Sequence, residues 1–364
     1  MQAILQIATS VYLPIMAATA AGFLLSRFLT RRTPQQVPVP LQERVPDLLA
    51  RALYLVGIPI GVANFIRKAD LNASVWLSPV VAWVAVILAI VISGLILRSS
   101  KRTTSPQTKS SYVLLSYLGN TSYLGFPVIL LLPQLGPQYF SSAVLYDILG
   151  TLLAGYGLGV LIARGATLRS AQALSAERLF EGSSSRSLAS TDQGLTALGT
   201  SQVNRPNSRW NLVLGSLLEI TKNPVFYAFF IGLYLKRVPL SDGVVSVLNT
   251  IAWGSIMVAL LVMGMRSQQL RSGGDLRLPL QPVLIKTILV PLIMGAALTA
   301  IGFEGPQRLV LVLQSAMPCA FASLVLAENY DLDLKLTVTS ILLSCIVFAF
   351  TMPIWVLLFT TWAW

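Results

Sequence analysis

A chain of 364 residues, 55% hydrophobic and only 11% charged, with a mean hydropathy of +0.72, lacks the polar surface of a water-soluble domain, which usually has about 25% charged residues. Its formal charge of +12 comes from short Lys and Arg clusters between apolar runs, without basic helices or aromatic-basic stripes. Membrane topology explains such clusters better than nucleic-acid binding. The absence of His removes the commonest metal ligand and general base, and Cys319 and Cys345 lie in apolar runs that suggest neither a disulfide framework nor a zinc site. No clustered acids and no nucleophile beside a base stand out, which argues against an enzyme, and no cofactor or metal is expected.

A bilayer core needs about 20 apolar residues per helix. The first apolar stretch lacks a basic leading region and runs past signal-peptide length before Arg27, so it is read as a retained span. In chain order the spans fall at roughly 4–26, 47–66, 74–97, 111–132, 139–163, 212–235, 243–265, 279–302, 309–327 and 336–360. Pro133, Gly136 and Pro137 separate the fourth from the fifth. The second and sixth are the weakest, with Arg51, Glu219 and Lys222 in their first halves.

Most Lys and Arg follow the odd-numbered spans, whereas the opposite side carries Arg67, Lys68, Lys236, Arg237 and Arg308. The positive-inside rule then places both termini outside and the central loop in the cytoplasm of a plasma or inner membrane. That loop, residues 165–208, is rich in Ser, Gly, Thr and Gln and is read as a flexible linker. It divides the chain into a first five-helix repeat, 1–164, and a second, 209–364. An odd number of spans per half makes the repeats inverted.

Two parallels support the repeat. Leu77-Ser78-Pro79-Val80 opens the third span and Leu280-Gln281-Pro282-Val283 the eighth, and a proline interrupts the fourth (Pro127) and the ninth (Pro318). The expected fold is therefore an all-α polytopic membrane protein of ten helices, with helices 4 and 9 broken where they cross. Broken helices at matching places in inverted repeats mark a transporter's central site, although a proline can also mark a plain kink. If Pro127 and Pro318 open the second half-helices, the missing N–H costs nothing there. The amides from Val128 onward and from Cys319 and Ala320 onward then face the gap, where two helix starts favour an anion. Asn120 and Thr121 are candidate donors and Gly125 allows close backbone approach; an interhelical hydrogen bond is the alternative role for Asn120.

The stretch NTSYLGFP, Asn120 to Pro127, resembles the fourth-helix motif of the auxin efflux carrier family, which includes PIN-type exporters and bacterial permeases. LQSAMPCAFASLVLAENYDLD, Leu313 to Asp333, is similar to that family's ninth helix, and KNPVFYAFFIGL, Lys222 to Leu233, to the Asn-Pro start of its sixth. The central loop is much shorter than in the long-looped plant carriers. The resemblance implies a scaffold of spans 1, 2, 6 and 7 and a moving transport domain of spans 3–5 and 8–10. It further implies outward transport of a small organic anion, a carboxylate, held at Asn120 and at the crossing near Pro127 and Pro318. A channel or a non-transporting sensor on the same fold is the alternative.

Buried ionisable groups are functional candidates by default. Asp147, in the fifth span, is a candidate for proton coupling or for a plain interhelical hydrogen bond. Lys286, in the eighth, is a second coupling candidate, although its stem is expected to reach the headgroups. The expected partners are the anion, lipid and a second copy of the chain, with no nucleic acid.

Overall fold

The computed structural model describes residues 8–32, 41–99, 104–169, 224–269 and 276–360, which are helical apart from connecting turns and one isolated backbone bridge. Among the described residues seven helices are long and apolar enough to cross a membrane: Thr9–Thr30, Arg44–Lys68, Ala73–Ser99, Pro137–Arg169, Asp242–Gln268, Arg277–Ala300 and Leu334–Thr360. They coincide with expected spans one, two, three, five, seven, eight and ten. The fifth runs to Arg169, past the expected start of the linker, and the rest of that linker lies outside the described residues.

In chain order the elements are α1 (Leu13–Arg32), α2 (Leu41–Ala52), α3 (Ile58–Lys68), α4 (Leu77–Ser99), α5 (Pro106–Tyr117), α6 (Phe126–Leu131) and α7 (Phe140–Tyr146). They continue with α8 (Pro224–Leu235), α9 (Asp242–Gln269), α10 (Arg277–Leu284), α11 (Val290–Ala300), α12 (Pro306–Ala316), α13 (Ala322–Asn329) and α14 (Leu334–Thr360). The expected fourth span is thus divided between α5 and an apolar helix over Thr121–Leu131, and the ninth between α12 and α13. The sixth is represented by α8, and the residues expected to precede it lie outside the described set.

Proline is absorbed in a repeated way. Pro14, Pro59, Pro127 and Pro291 each stand second in an α-helix that follows a five-residue π-turn, at Ala8–Tyr12, Leu53–Gly57, Thr121–Gly125 and Ile285–Leu289. A proline ring clashes with the carbonyl four residues back and offers no N–H. Widening the preceding turn moves that carbonyl aside and re-pairs it locally, which matters where water cannot.

Helices α1, α2, α3, α8 and α9 pack chiefly on one another, and α4, α5, α7 and α10–α14 form a second group. The groups meet where α3 packs on α7, and where α9 packs on α6 and the Thr121–Gly125 turn. Within the first group, α1 and α9 approach until their backbones nearly touch. A Cβ at Gly22 would stand 2.0 Å from the Leu261 carbonyl oxygen, and one at Gly264 2.0 Å from that of Thr19. Small residues permit such approach, and dispersion then takes the place that the hydrophobic effect holds in water. A side-chain bond from Asn64 Nδ2 to Asn249 Oδ1, 2.9 Å, also ties α3 to α9.

The second group is tied by polar caps. Asp333 accepts the Leu336 N–H at 2.9 Å to cap α14, and its other carboxylate oxygen accepts the Thr108 hydroxyl of α5 at 2.8 Å. Arg308, expected in an outer loop, is instead buried in the first turn of α12. It donates to Thr299 Oγ1 at 3.0 Å and to the Phe359 carbonyl at 3.3 Å, with its guanidinium over the Phe359 ring. Those partners lie on α11 and α14, so the residue fastens three helices rather than marking a side of the membrane.

The glycine contact between α1 and α9 is open to test. Gly264→Val should lower the thermal unfolding temperature of the purified protein, at an overpacking cost of about 1–3 kcal/mol. Gly94→Ala, whose Cβ would meet nothing within 4 Å, should not lower the temperature.

Candidate functional site

The fourth-span helix α5 ends at Tyr117 and the ninth-span helix α12 at Ala316, and the chain beyond each runs extended across the other. Gly119 and Cys319 form an antiparallel bridge. The Asn120 N–H donates to the Pro318 carbonyl at 2.7 Å, and the Ala320 N–H to the Leu118 carbonyl at 3.0 Å. Each interrupted segment therefore satisfies the backbone of the other, which is the condition for irregular chain at membrane depth. The Cys319 N–H goes to Ser344 Oγ at 3.0 Å, and its thiol to the Leu115 carbonyl.

Lys286 belongs to this crossing. It does not reach toward headgroups: it is buried, and its ammonium donates to the Ser315 carbonyl at 2.6 Å. The last carbonyls of α12 have no partner within the helix, and a cation at a helix C-terminus meets both the orphan oxygen and the macrodipole. Gly119 makes room for it, since a Cβ there would stand 2.9 Å from Lys286 Cε and Nζ.

The helix after the first crossing begins at Thr121. Asn120 is its N-cap, and the Asn120 carbonyl accepts the Gly125 N–H at 3.1 Å. The amides ahead of Gly125 thus stand free of the helix's own hydrogen-bond ladder. Asp147, 5% exposed, faces this start: its carboxylate accepts the Thr121 hydroxyl on one oxygen and the Ser122 hydroxyl, at 2.6 Å, on the other. The Asn120 side-chain amide has no hydrogen-bond partner among the described residues.

A cavity of about 450 Å³ opens against these residues. One wall is Leu118–Tyr123, Asp147 and Ala320–Ala322, so both half-helix starts reach it; the other includes Tyr54, Ile58, Val262, Met263 and Arg266. Beyond it lies a cluster of rings in edge-to-face contact: Phe65 with Phe140 (5.2 Å between centroids) and Trp253 (5.6 Å), and Phe140 with Phe126 (4.9 Å). Along α3, α9 and the fifth span alike, these rings stand toward one end of the helix and the cavity residues toward the other.

Of the residues expected at a site, Asn120, Thr121, Asp147 and Ala320 line this cavity. Gly125 turns instead to α12, where its Cβ would meet Gln314 Oε1 at 2.8 Å. Pro127 borders a separate small cleft with Gly57 and Phe65, and Val128, Pro318 and Cys319 are buried and line neither. The half-helix starts six residues before Pro127, because the π-turn accommodates that proline and leaves Gly119 as the place where the backbones can cross. Pro318 stands in the crossing itself, so the two prolines do not occupy matching positions. Ser122, Arg266 and Phe321 were not anticipated. Ser122 carries a signal in the sequence, as Thr121's polar neighbour, whereas nothing in the sequence separates Arg266 from the other basic residues that follow the odd-numbered spans.

Among the described residues no group of three or more His, Cys, Asp or Glu could hold a metal ion. No curated protein matches the chain. The sequence model of the membrane transport protein family, that of the auxin efflux carriers and PIN-like proteins, matches residues 53–356. With interrupted helices crossing beside a cavity among membrane-length spans, and the match covering most of its length, the chain belongs to the membrane transport protein family and is an integral membrane protein.

Proposed function

We propose that the protein is a secondary-active carrier that exports a small organic anion, a carboxylate, by alternating access. The observation that carries this reading is the cavity at the crossing, where two helix starts converge with the Asn120 side-chain amide, which has no hydrogen-bond partner among the described residues. Free first-turn amides and the positive ends of helix dipoles suit a carboxylate, and Asn120 Nδ2 is a neutral donor beside them. Thr121 and Ala320 complete the substrate wall. Against a continuous pore, the rings of Phe65, Phe126, Phe140 and Trp253 pack edge to face where the two helix groups meet.

The ten spans form two inverted repeats on either side of the central loop. Supporting this, Pro106 and Pro306 open α5 and α12, and Gly119 and Cys319 cross, at the same separation along the chain. The group α1, α2, α3, α8 and α9 is the scaffold, and the group holding the crossing is the transport domain. With both termini outside, the cavity faces the cytoplasm, as loading for export requires. Substrate charge and Asp147 stand in one cavity, so an anion meets a like charge unless the carboxyl carries a proton. Asp147 is thereby the coupling residue, while Lys286, held on Ser315, keeps the crossing in shape.

Saturable, counterflow-competent flux of organic anions in proteoliposomes tests the class, and a non-saturating conductance would reject it. Asn120→Ala should retain the unliganded thermal stability and weaken anion binding about 10-fold or more, the worth of a hydrogen bond to a charged group. Wild-type affinity with lost stability would make Asn120 interhelical glue. Asp147→Asn keeps an acceptor for Thr121 and Ser122 but cannot carry the proton. Anion exchange should persist, while the dependence of net flux on an imposed pH gradient should disappear.

A further inference from the structure

Two charged side chains line the cavity among the described residues, Asp147 and Arg266. Asp147 has both oxygens occupied by hydroxyls of the first half-helix. Arg266 is in the opposite condition. Its guanidinium makes no hydrogen bond with the described residues. The nearest carboxylate oxygen, on Asp47, is 3.6 Å away, and that side chain is 66% exposed. A contact of that length is outside hydrogen-bond range and, so exposed, is well screened.

The guanidinium also lies over the Phe321 ring, 5.9 Å from its centroid. Phe321 is the N-cap of α13. Arg266, in the last turn of α9, belongs to one helix group, and Phe321 to the other. An arginine fork held by a ring face and one weak ion pair has its planar donor edge available, and that edge matches a carboxylate bidentately. Lys286 cannot play this part, since it is buried on the Ser315 carbonyl and does not line the cavity.

We propose that Arg266 is the specificity-determining residue for the anionic end of the substrate: the incoming carboxylate displaces Asp47 and is clamped between the Arg266 fork and the start of α13 at Phe321 and Ala322. The bound anion then bridges the two helix groups, so its charge is recognised at the boundary across which they move. This inference rests on the reading of the chain as an anion carrier. It differs from a purely topological role for Arg266, which would need only a positive charge near the membrane face.

The test titrates the purified full-length protein with acetate, benzoate, phenylacetate and indole-3-acetate, and with the corresponding neutral amides, following binding by thermal shift. For whichever carboxylate binds most tightly, wild type should prefer the acid to its amide at least 10-fold. Arg266→Gln should abolish that preference without changing the unliganded unfolding temperature. Arg266→Lys should retain charge but lose the fork, giving an intermediate preference, and it serves in place of Arg266→Gln should that variant fold poorly. Asp47→Asn should tighten carboxylate binding about two-fold, by removing a weak competitor. An undiminished acid-over-amide preference in both Arg266 variants would overturn the role of Arg266 and leave the carrier reading standing. If no carboxylate binds wild type, the anion-carrier reading fails and this inference with it.

Discussion

The structure depends on a constraint that water-soluble proteins do not face: inside a bilayer an interrupted helix cannot pass its unpaired N–H and C=O groups to solvent. Here two interruptions answer each other. Asn120 N–H meets the Pro318 carbonyl, and Ala320 N–H meets the Leu118 carbonyl. What this pair of bonds leaves over is taken up by side chains brought from elsewhere, Ser344 for the Cys319 amide and Lys286 for the Ser315 carbonyl. Breaking one segment would leave groups of the other unpaired, so the two halves of the chain are joined at their least regular points.

The same crossing explains where the buried charges went. Asp147 stands at the start of one half-helix and Lys286 at the end of α12, and in both cases the sign matches the helix end. Groups that would be costly alone in a low-dielectric setting are thereby engaged with dipoles and neutral partners rather than with each other. The arrangement leaves the Asn120 side-chain amide and the Arg266 guanidinium as cavity-facing donors without hydrogen bonds to the other described residues. For the proposed carrier, the frame of the site and its recognition elements are thus different residues.

The two helix groups are held internally and against one another by unlike contacts. Within the first group, Gly22 and Gly264 bring α1 and α9 to backbone contact, which resists relative movement because no side chain can give way. Between the groups the contacts include ring edges on ring faces, Phe65 against Phe140, and the Arg266–Phe321 stack. Such contacts lose little when exchanged for similar ones, as aromatic pairs add only about 0.5–1.5 kcal/mol beyond their burial. For the proposed carrier, a rigid group and an easily remade boundary are the mechanical features that alternating access would use.

The sequence by itself determined the solvent and the course of the chain through it. Long apolar runs at low charge can only be membrane spans, and seven of the expected ten have that length among the described residues. The polar, glycine-bearing stretch at Asn120 was legible as an interruption of the fourth span, with Asn120 either a donor at a site or an interhelical hydrogen bond, and the structure places it at the crossing beside the cavity. Three things were settled only in three dimensions. The break falls at Gly119 and not at Pro127, because a π-turn can hide a proline, whereas only close contact with Cys319 and Lys286 reveals why residue 119 must be glycine. Lys286 is buried because a partner carbonyl from α12, distant in the chain, meets it there. Arg266 joins the cavity because α9 ends opposite Phe321. Periodicity and composition report what each residue needs from its surroundings, but which distant segment supplies it is decided by packing.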